Sequence, residues 1–341
     1  MPHPLVSIIV VNWNRREYVG ECLNSLRNQS FRDFEVILVD NGSTDGSVES
    51  IEEKFPGFVR VLKNKENVGF AKGNNQGIEV ARGEYIVLLN NDAQADSHWL
   101  EGLLKGAEED QRVGMVASKI YLHGSDKVID NVGHLIYRDG LNRGRGRLEV
   151  DHGQFDEKEE VLFPSGCAAL YRRKMLEEVG LFDEDFFAYA DDTDLGLKGR
   201  LAGWRCLYIP QAIVYHRYSQ SSGPYSPLKA FYVERNRVWI AVKYLPLSML
   251  LISPFYTLWR FLFQSYGALT GQGAAGKFTQ EYSRFLLLSV LLQAYVAALG
   301  GMPKMWRKRK AMKKLTRVSK EEIRNWFHRF GLSARKISLQ D

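Results

Sequence analysis

Residues 34–48 read FEVILVDNGSTDGSV, and this stretch decides the fold. FEVILV (34–39) is a short, β-branched apolar run of the kind buried on both faces of a sheet. It stops at Asp40, after which Asn41, Gly42 and Ser43 turn the chain. Val48, Ile51 and Phe55 then follow at helical spacing behind Ser43 and Thr44, either of which can cap a helix. Upstream, LVSIIVV (5–11) is a second apolar run, and Val19, Cys22, Leu23 and Leu26 recur at i, i+3, i+4 and i+7. Downstream, FVRVL (58–62) and EYIVLL (84–89) complete a strand, helix, strand, helix, strand series. That series predicts an α/β fold with a parallel sheet covered on both faces.

Residues 97–240 are more mixed, with a helix expected near 97–109 and strands near 113–118, 161–171 and 206–215. Between them, LNRGRGRLEVDHGQFDEKEE (141–160) sets Arg143, Arg145 and Arg147 among glycines and then adds six acids. It reads as a mobile loop, able to close over a ligand as a lid. After Lys243 the composition changes. YLPLSMLLISPFYTLW (244–259) and FLLLSVLLQAYVAALGGM (285–302) carry no charge, and PKMWRKRKAMKKLTR (303–317) has eight basic residues and no acid. Eighteen uncharged residues sit at the threshold for a membrane span. An apolar helix pair followed by a polybasic segment suits an anionic cytoplasmic leaflet, and a buried helical hairpin with a solvated basic tail is the alternative.

The chain has 341 residues, 45% hydrophobic and 25% charged, with a mean hydropathy of −0.27, which excludes a polytopic membrane protein and a disordered chain. Its net charge of +6 is unevenly placed: residues 303–341 hold 13 Lys/Arg against three Asp/Glu, and the remainder holds 33 against 37. The basic character therefore belongs to the tail. No helix-turn-helix pattern or aromatic-interleaved basic sheet accompanies it, so nucleic acid is not an expected partner. Cys22, Cys167 and Cys206 are widely spaced and odd in number, which argues against a disulfide framework and for a reducing cytoplasm. The opening MPHPLVSIIVV lacks the charged start and cleavage pattern of a secretory signal.

Chemistry is expected where strands end. Asp40 closes the second strand, where it can meet a base or ribose or simply form an Asx turn. Asn90, Asn91 and Asp92 end the apolar run YIVLL, where a carboxylate and two amides call for a ligand, a metal, water or a helix to cap. In FDEDFFAYADDTDLGLKGRLAGW (182–204), Asp191, Asp192 and Asp194 precede Leu195, Leu197 and Leu201, which places the acids in the first turn of a helix. At about 100° per residue, Asp192 points away from the line shared by Asp191 and Asp194. A helix N-terminus keeps such a carboxylate ionised and fit to act as a base. His216 follows the run AIVY and can ligate a metal or sit as a structural residue.

The ordered set VSIIVVNWN, VILVDNGSTDGS, NVGFAKGNNQGI, GEYIVLLNNDA, SGCAALYRR, GLFDEDFFAYADDTDLGLK and IVYH, spread over residues 4–243, resembles the family 2 glycosyltransferases. It is most similar to their bacterial rhamnosyltransferase-like branch. The resemblance implies the GT-A fold, with a mixed, mainly parallel central sheet, followed here by a C-terminal helical membrane-associating segment. It implies a nucleotide-sugar-binding half at 1–100 and an acceptor and catalytic half at 101–243, and the composition adds apolar helices with a polybasic tail at 244–341. Position by position, Asn12 and Asp40 would contact the base and ribose, with Asn41, Lys72 and Asn91 also on the nucleotide sugar. Asp92 and His216 would hold Mg²⁺ or Mn²⁺, Asp192 would be the catalytic base beside Asp191, and Gly166 and Asp194 would lie in the acceptor region. Two departures stand out: NND keeps one carboxylate where many members have more, and ADD replaces an aromatic-Glu-Asp.

The implied activity is metal-dependent, inverting transfer of a sugar onto a lipid-linked or polysaccharide acceptor at the cytoplasmic face of the cell membrane. The favoured donor is dTDP-rhamnose, with UDP- and GDP-sugars as the others. A sugar nucleotidyltransferase would share the site but needs a Gly-rich, basic phosphate loop after the first strand, where NWNRREYVG offers only Gly20. A non-catalytic nucleotide-binding membrane adaptor would keep the fold and show no turnover.

Overall fold

The computed structural model describes residues 3–217, 223 and 225–340. They form two compact units, the first comprising residues 3–133, 144–200 and 204–217, the second residues 134–143, 201–203, 223 and 225–340.

In the first unit the opening series forms β1 (Val6–Asn12), α1 (Arg16–Arg27), β2 (Phe34–Asp40), α2 (Ser47–Lys54) and β3 (Val59–Lys63). Val19, Cys22, Leu23 and Leu26 are the buried residues of α1, as their spacing requires. Neither Ser43 nor Thr44 caps α2, whose N-cap is Gly46 in the left-handed conformation. Ser43 is held back by Asp40, whose carboxylate accepts from its N–H at 2.9 Å and its hydroxyl at 2.6 Å.

Next comes α3 (Phe70–Val80), which the glycine- and asparagine-rich sequence FAKGNNQGIEV conceals. Gly73 and Gly77 lie four residues apart and so share one helix face. A Cβ there would come within 3.0 Å of Val11 and 2.6 Å of Ile9, so the glycines let α3 lie close on β1. There follow β4 (Tyr85–Leu89), β5 (Ala93–Ala95), α4 (Trp99–Glu108), β6 (Val113–Leu122) and β7 (Ile129–Asn131). β8 (His134–Ile136), which belongs to the second unit, and β9 (Asn142–Gly144), which begins there, come next in the chain; the expected strand at 161–171 then divides, back in the first unit, into β10 (Glu159–Val161) and β11 (Ala168–Arg172). The unit closes with α5 (Arg173–Val179), α6 (Asp191–Leu201) and β12 (Arg205–His216).

The main sheet runs β10-β12-β6-β11-β4-β1-β2-β3. Strands β3, β2, β1 and β4 are parallel neighbours and β12 runs parallel to β6, while β11 is antiparallel to both β4 and β6. The sheet is therefore mixed, with its parallel half at the N-terminus. Its core includes Ile8, Leu23, Leu38, Val87, Leu103 and Val116, each worth about 1.5–3 kcal/mol of burial. The chain leaves β1 on one side through β2 and β3 and returns on the other at β4. Such a reversal opens a crevice beyond the carboxyl ends of β1 and β4, where α/β proteins bind ligands.

Residues 144–160 are anchored rather than lid-like. Lys119 on β6 donates to Asp151 at 2.7 Å and to Asp156 at 2.6 Å, Tyr121 donates to Asp151 at 2.5 Å, and Phe155 is buried. Arg145 pairs with Glu159 and Arg147 with Asp130. The charges that suggest solvent exposure are thus counterions of one another and of the sheet.

The second unit contains the helices α7 (Pro227–Tyr244), α8 (Leu247–Thr270), α9 (Gly273–Glu281), α10 (Arg284–Leu315), α11 (Lys320–Arg329) and α12 (Ala334–Leu339). Its interior holds a charged cluster. Arg260 on α8 donates to Glu234 on α7 at 2.7 and 2.9 Å and to Asp139 at 2.9 Å, and Arg237 donates to Glu234 at 3.1 Å. Pro246 stands at the N-cap of α8, while Pro254 lies inside that helix without ending it. Among the described residues, α10 alone is long and apolar enough to cross a membrane, with a mean hydropathy of 1.9 over its apolar window.

Candidate active site

At the carboxyl ends of the parallel strands, Asn12 ties three of them together. Its amide donates to Asp40 at 3.0 Å and to the hydroxyls of Ser43 and Ser47 at 3.2 Å each, and its carbonyl accepts from Asn91 at 2.8 Å. Asn12 and Asp40 are buried and their polar atoms are matched within this cluster, where Asp40 also accepts from the Ser43 N–H three residues on. Asn41 accepts from Asn64 at 3.0 Å and donates to the carbonyl of Gly69 at 3.1 Å, which fixes the start of α3. Lys72 is exposed on the first turn of α3.

Asp92 and His216 come together through sheet register. β5 pairs antiparallel with the end of β12, setting Ala93 opposite His216, and Arg217 donates its N–H to the Asp92 carbonyl at 3.0 Å. His216 Nε2 consequently stands 3.3 Å from Asp92 Oδ1. That oxygen is buried and makes no hydrogen bond of good geometry. The other ring nitrogen, Nδ1, lies 2.7 Å from Asp130 Oδ2, and Asp130 also accepts from Arg147. Burial opposes a charge on His216, but Cys167, Asp130 and Asp92 outweigh it and raise the imidazole well above its ordinary pKa. Asp130 has no signal in the sequence: VIDNVGH is a short acid-containing run, and only the pairing of β7 with β6 carries it to the site.

These atoms fit a divalent cation held jointly with a ligand. A buried carboxylate oxygen facing an imidazole whose far nitrogen is fixed by a second carboxylate matches the usual backing of a metal-bound histidine. Among the described residues no group of three or more His, Cys, Asp or Glu could hold a metal, so oxygens from elsewhere would have to complete the shell.

The acids of α6 separate as the helical arithmetic requires. Asp191 and Asp194 are buried and Asp192 is half-buried. Asp192 accepts from Gly166 N–H at 3.1 Å and from Thr193 N–H at 2.7 Å. Asp191 accepts from Asp192 N–H at 2.8 Å, and its other oxygen is buried without a partner. Burial, then the neighbouring charge of Asp192, pushes the Asp191 carboxyl up to about 8. Asp194 is fully enclosed 3.5 Å from Lys198, with no surface to offer a ligand in this conformation, whereas Gly166 stands directly against Asp192. The turn leading into α6 holds Phe187, Tyr189 and Ala190 at φ values of 59–64°, a strained backbone of the kind concentrated at functional sites. Phe70 N–H donates to the Phe187 carbonyl at 2.8 Å, so this turn is braced by the N-terminus of α3.

The strand-end polar cluster, the carboxylate–imidazole pair and the half-buried Asp192 stand on a mixed α/β sheet of the GT-A type. The profile described as Glycosyl transferase family 2 matches residues 7–180, just over half of the chain. The chain belongs to that family and is by membership a glycosyltransferase. It is 30% identical over 230 residues to the uncharacterized glycosyltransferase EpsJ of Bacillus subtilis, covering 66% of this chain and 65% of that protein. It is 28% identical over 271 residues to the N-acetylglucosaminyl-diphospho-decaprenol L-rhamnosyltransferase of Mycobacterium tuberculosis, covering 69% of this chain and 86% of that one. The chain thus spans about two thirds of EpsJ. In fold it matches the mannosyltransferase PcManGT of Pyrobaculum calidifontis in complex with GDP-Man and Mn²⁺, with a TM-score of 0.54, 18% identity and coverage of 89% and 88% of the two chains. GalNAc-T7 with UDP, GalNAc and Mn²⁺ matches with a TM-score of 0.56 at 16% identity, over 71% of this chain and 48% of that one.

Proposed function

We propose that the protein transfers a sugar from a nucleotide-diphosphate donor to an acceptor hydroxyl with inversion at the anomeric carbon. The observation that carries this reading is the meeting of Asp92 Oδ1 and His216 Nε2 at 3.3 Å at the mouth of the sheet. Asn12, Asp40 and Asn41 form the floor on which the nucleoside rests, Asn91 stands beside the sugar nucleotide, and Lys72 reaches toward the phosphates. Asp92 and His216 would hold Mg²⁺ or Mn²⁺, which would supply positive charge against the diphosphate leaving group.

Asp192 acts as base. Its carboxylate takes the proton of the acceptor hydroxyl as that oxygen bonds to the anomeric carbon from the face opposite the breaking bond to diphosphate. A single displacement inverts the configuration. Asp191 stays protonated and removes a second negative charge from beside the base. Gly166, whose N–H holds Asp192, leaves room for the acceptor, and Asp194 braces α6 from inside.

The donor favoured is dTDP-rhamnose and the acceptor a lipid-linked glycan, supported by likeness to the rhamnosyltransferase whose acceptor its name describes. Such an acceptor places the enzyme at the cytoplasmic face of the membrane, in keeping with the polybasic tail. The test is calorimetric titration with dTDP-, UDP- and GDP-sugars, with and without Mn²⁺. Metal-dependent binding of one donor is expected, and failure of every donor to bind would refute the assignment.

A further inference from the structure

We infer that α8 and α10 dock the protein in the plane of an anionic bilayer, each laying one face into a single leaflet, and that α10 does not cross it. This rests on the membrane attachment proposed above but concerns the second unit only.

The two faces of α10 are chemically opposed. Counting about 100° per residue, Phe285, Leu288, Leu292, Val296 and Leu299 fall within one sector of about 80°. All are exposed, Phe285 to 85%. The buried residues Val290, Ala294, Ala298, Met305, Arg309 and Met312 centre on the opposite side. In α8, Leu251 (75% exposed), Phe255, Leu258, Leu262 and Leu269 face outward, while Ser253, Thr257, Arg260 and Gly267 are buried. Apolar faces this continuous are covered in a working protein.

The inner faces cannot be given to lipid. Trp239 Nε1 on α7 donates to the Ala298 carbonyl at 3.1 Å, Arg237 to the Tyr295 hydroxyl at 2.6 Å and Arg309 to the Val242 carbonyl at 2.7 Å. α7 thus lies along the middle of α10, and α7 carries Lys229, Glu234, Arg235, Arg237 and Lys243. A spanning α10 would draw those charges into hydrocarbon, or strip its own inner face of partners. Lying flat, with one face on protein and the other in the boundary between headgroups and acyl chains, α10 keeps both sets of contacts.

Charge selects the occupant. Between Leu247 and Leu315 the only acid is Glu281. Arg307, Lys310 and Lys314 are exposed on the same line of α10 as Leu292 and Val296, so one stripe passes from apolar to cationic along a single helix. An apolar segment at acyl depth followed by cations at phosphate level is the pattern of an interfacial helix on anionic lipid.

The test uses the purified full-length protein, floated with phosphatidylcholine vesicles and with vesicles containing phosphatidylglycerol, and needs no donor or turnover. Binding only to the phosphatidylglycerol vesicles is expected, weakened at least tenfold by high salt, by Leu288→Glu with Leu292→Glu, or by Lys310→Glu with Lys314→Glu. Circular dichroism checks that each variant stays folded. Nitroxides placed through Leu288→Cys, Val296→Cys and Lys314→Cys then report depth. Shallow values at 288 and 296, and headgroup level at 314, support the in-plane position. Depth that reaches the bilayer centre near residue 293 would show a spanning helix. Equal binding to both vesicle types would remove anionic lipid as the occupant. A solution dimer abolished by the Leu288/Leu292 variant, without vesicle binding, would assign the face to a second copy.

Discussion

His216 is fixed from behind by Asp130, whose Oδ2 lies 2.7 Å from Nδ1, while Nε2 faces Asp92 Oδ1 at 3.3 Å. Arg147, from the segment expected to be mobile, holds Asp130 in turn. The imidazole is thus held through Nδ1, with Nε2 turned toward Asp92. Asp130→Asn keeps the shape and removes the charge that backs the ring. Manganese affinity, measured by calorimetry with nucleoside diphosphate present, is expected to fall about 10–100-fold. Unchanged affinity would make Asp130 a structural residue only.

Asp191 gives the fold a pH dependence of definite sign. Its carboxyl titrates at about 8 in the folded chain and near 4 when unfolded, so between those values the folded state holds a proton that the unfolded state has lost. Its contribution is complete below about pH 4 and declines as the pH rises to about 8. Asp191→Asn mimics the protonated acid and retains an acceptor for Asp192 N–H. Its melting temperature is expected to gain on that of the wild type steadily from pH 4 to pH 8, and parallel curves would contradict the assignment.

Lys119 supplies the counter-charge for the buried Asp151. Burial works against that carboxylate, yet Lys119 and Tyr121 draw its pKa down to about 2. Lys119→Met strands the carboxylate and is expected to cost about 3–5 kcal/mol in urea unfolding. Limited proteolysis should then cut first within 144–160. A loss under about 1 kcal/mol, with that segment still protected, would show that it is anchored by other contacts.

What was legible in the sequence follows from how local its cause is. Alternating apolar runs and i, i+3, i+4 spacing dictate β1 to β4 and α1 because each element buries its own pattern. The split of Asp191 and Asp194 from Asp192 is likewise set by helical angle alone. α3 was hidden because Gly73 and Gly77 serve contacts with β1, and their cost in helix propensity is offset by packing absent from the local sequence. Asp130, Arg147 and the anchoring of 144–160 depend on strand pairings that join residues tens of positions apart. Composition read those charges as solvated when they are paired with one another.

The most direct test of Asp192 as the base is to compare Asp192→Asn with wild type for sugar transfer and for donor binding in the same buffer with Mn²⁺. Loss of a base slows the chemical step and leaves ground-state binding alone. Transfer is expected to fall by about 10²–10⁴-fold while donor affinity stays within a few-fold. Full transfer by the variant would contradict the mechanism, and equal losses in both would make Asp192 a donor-binding residue instead.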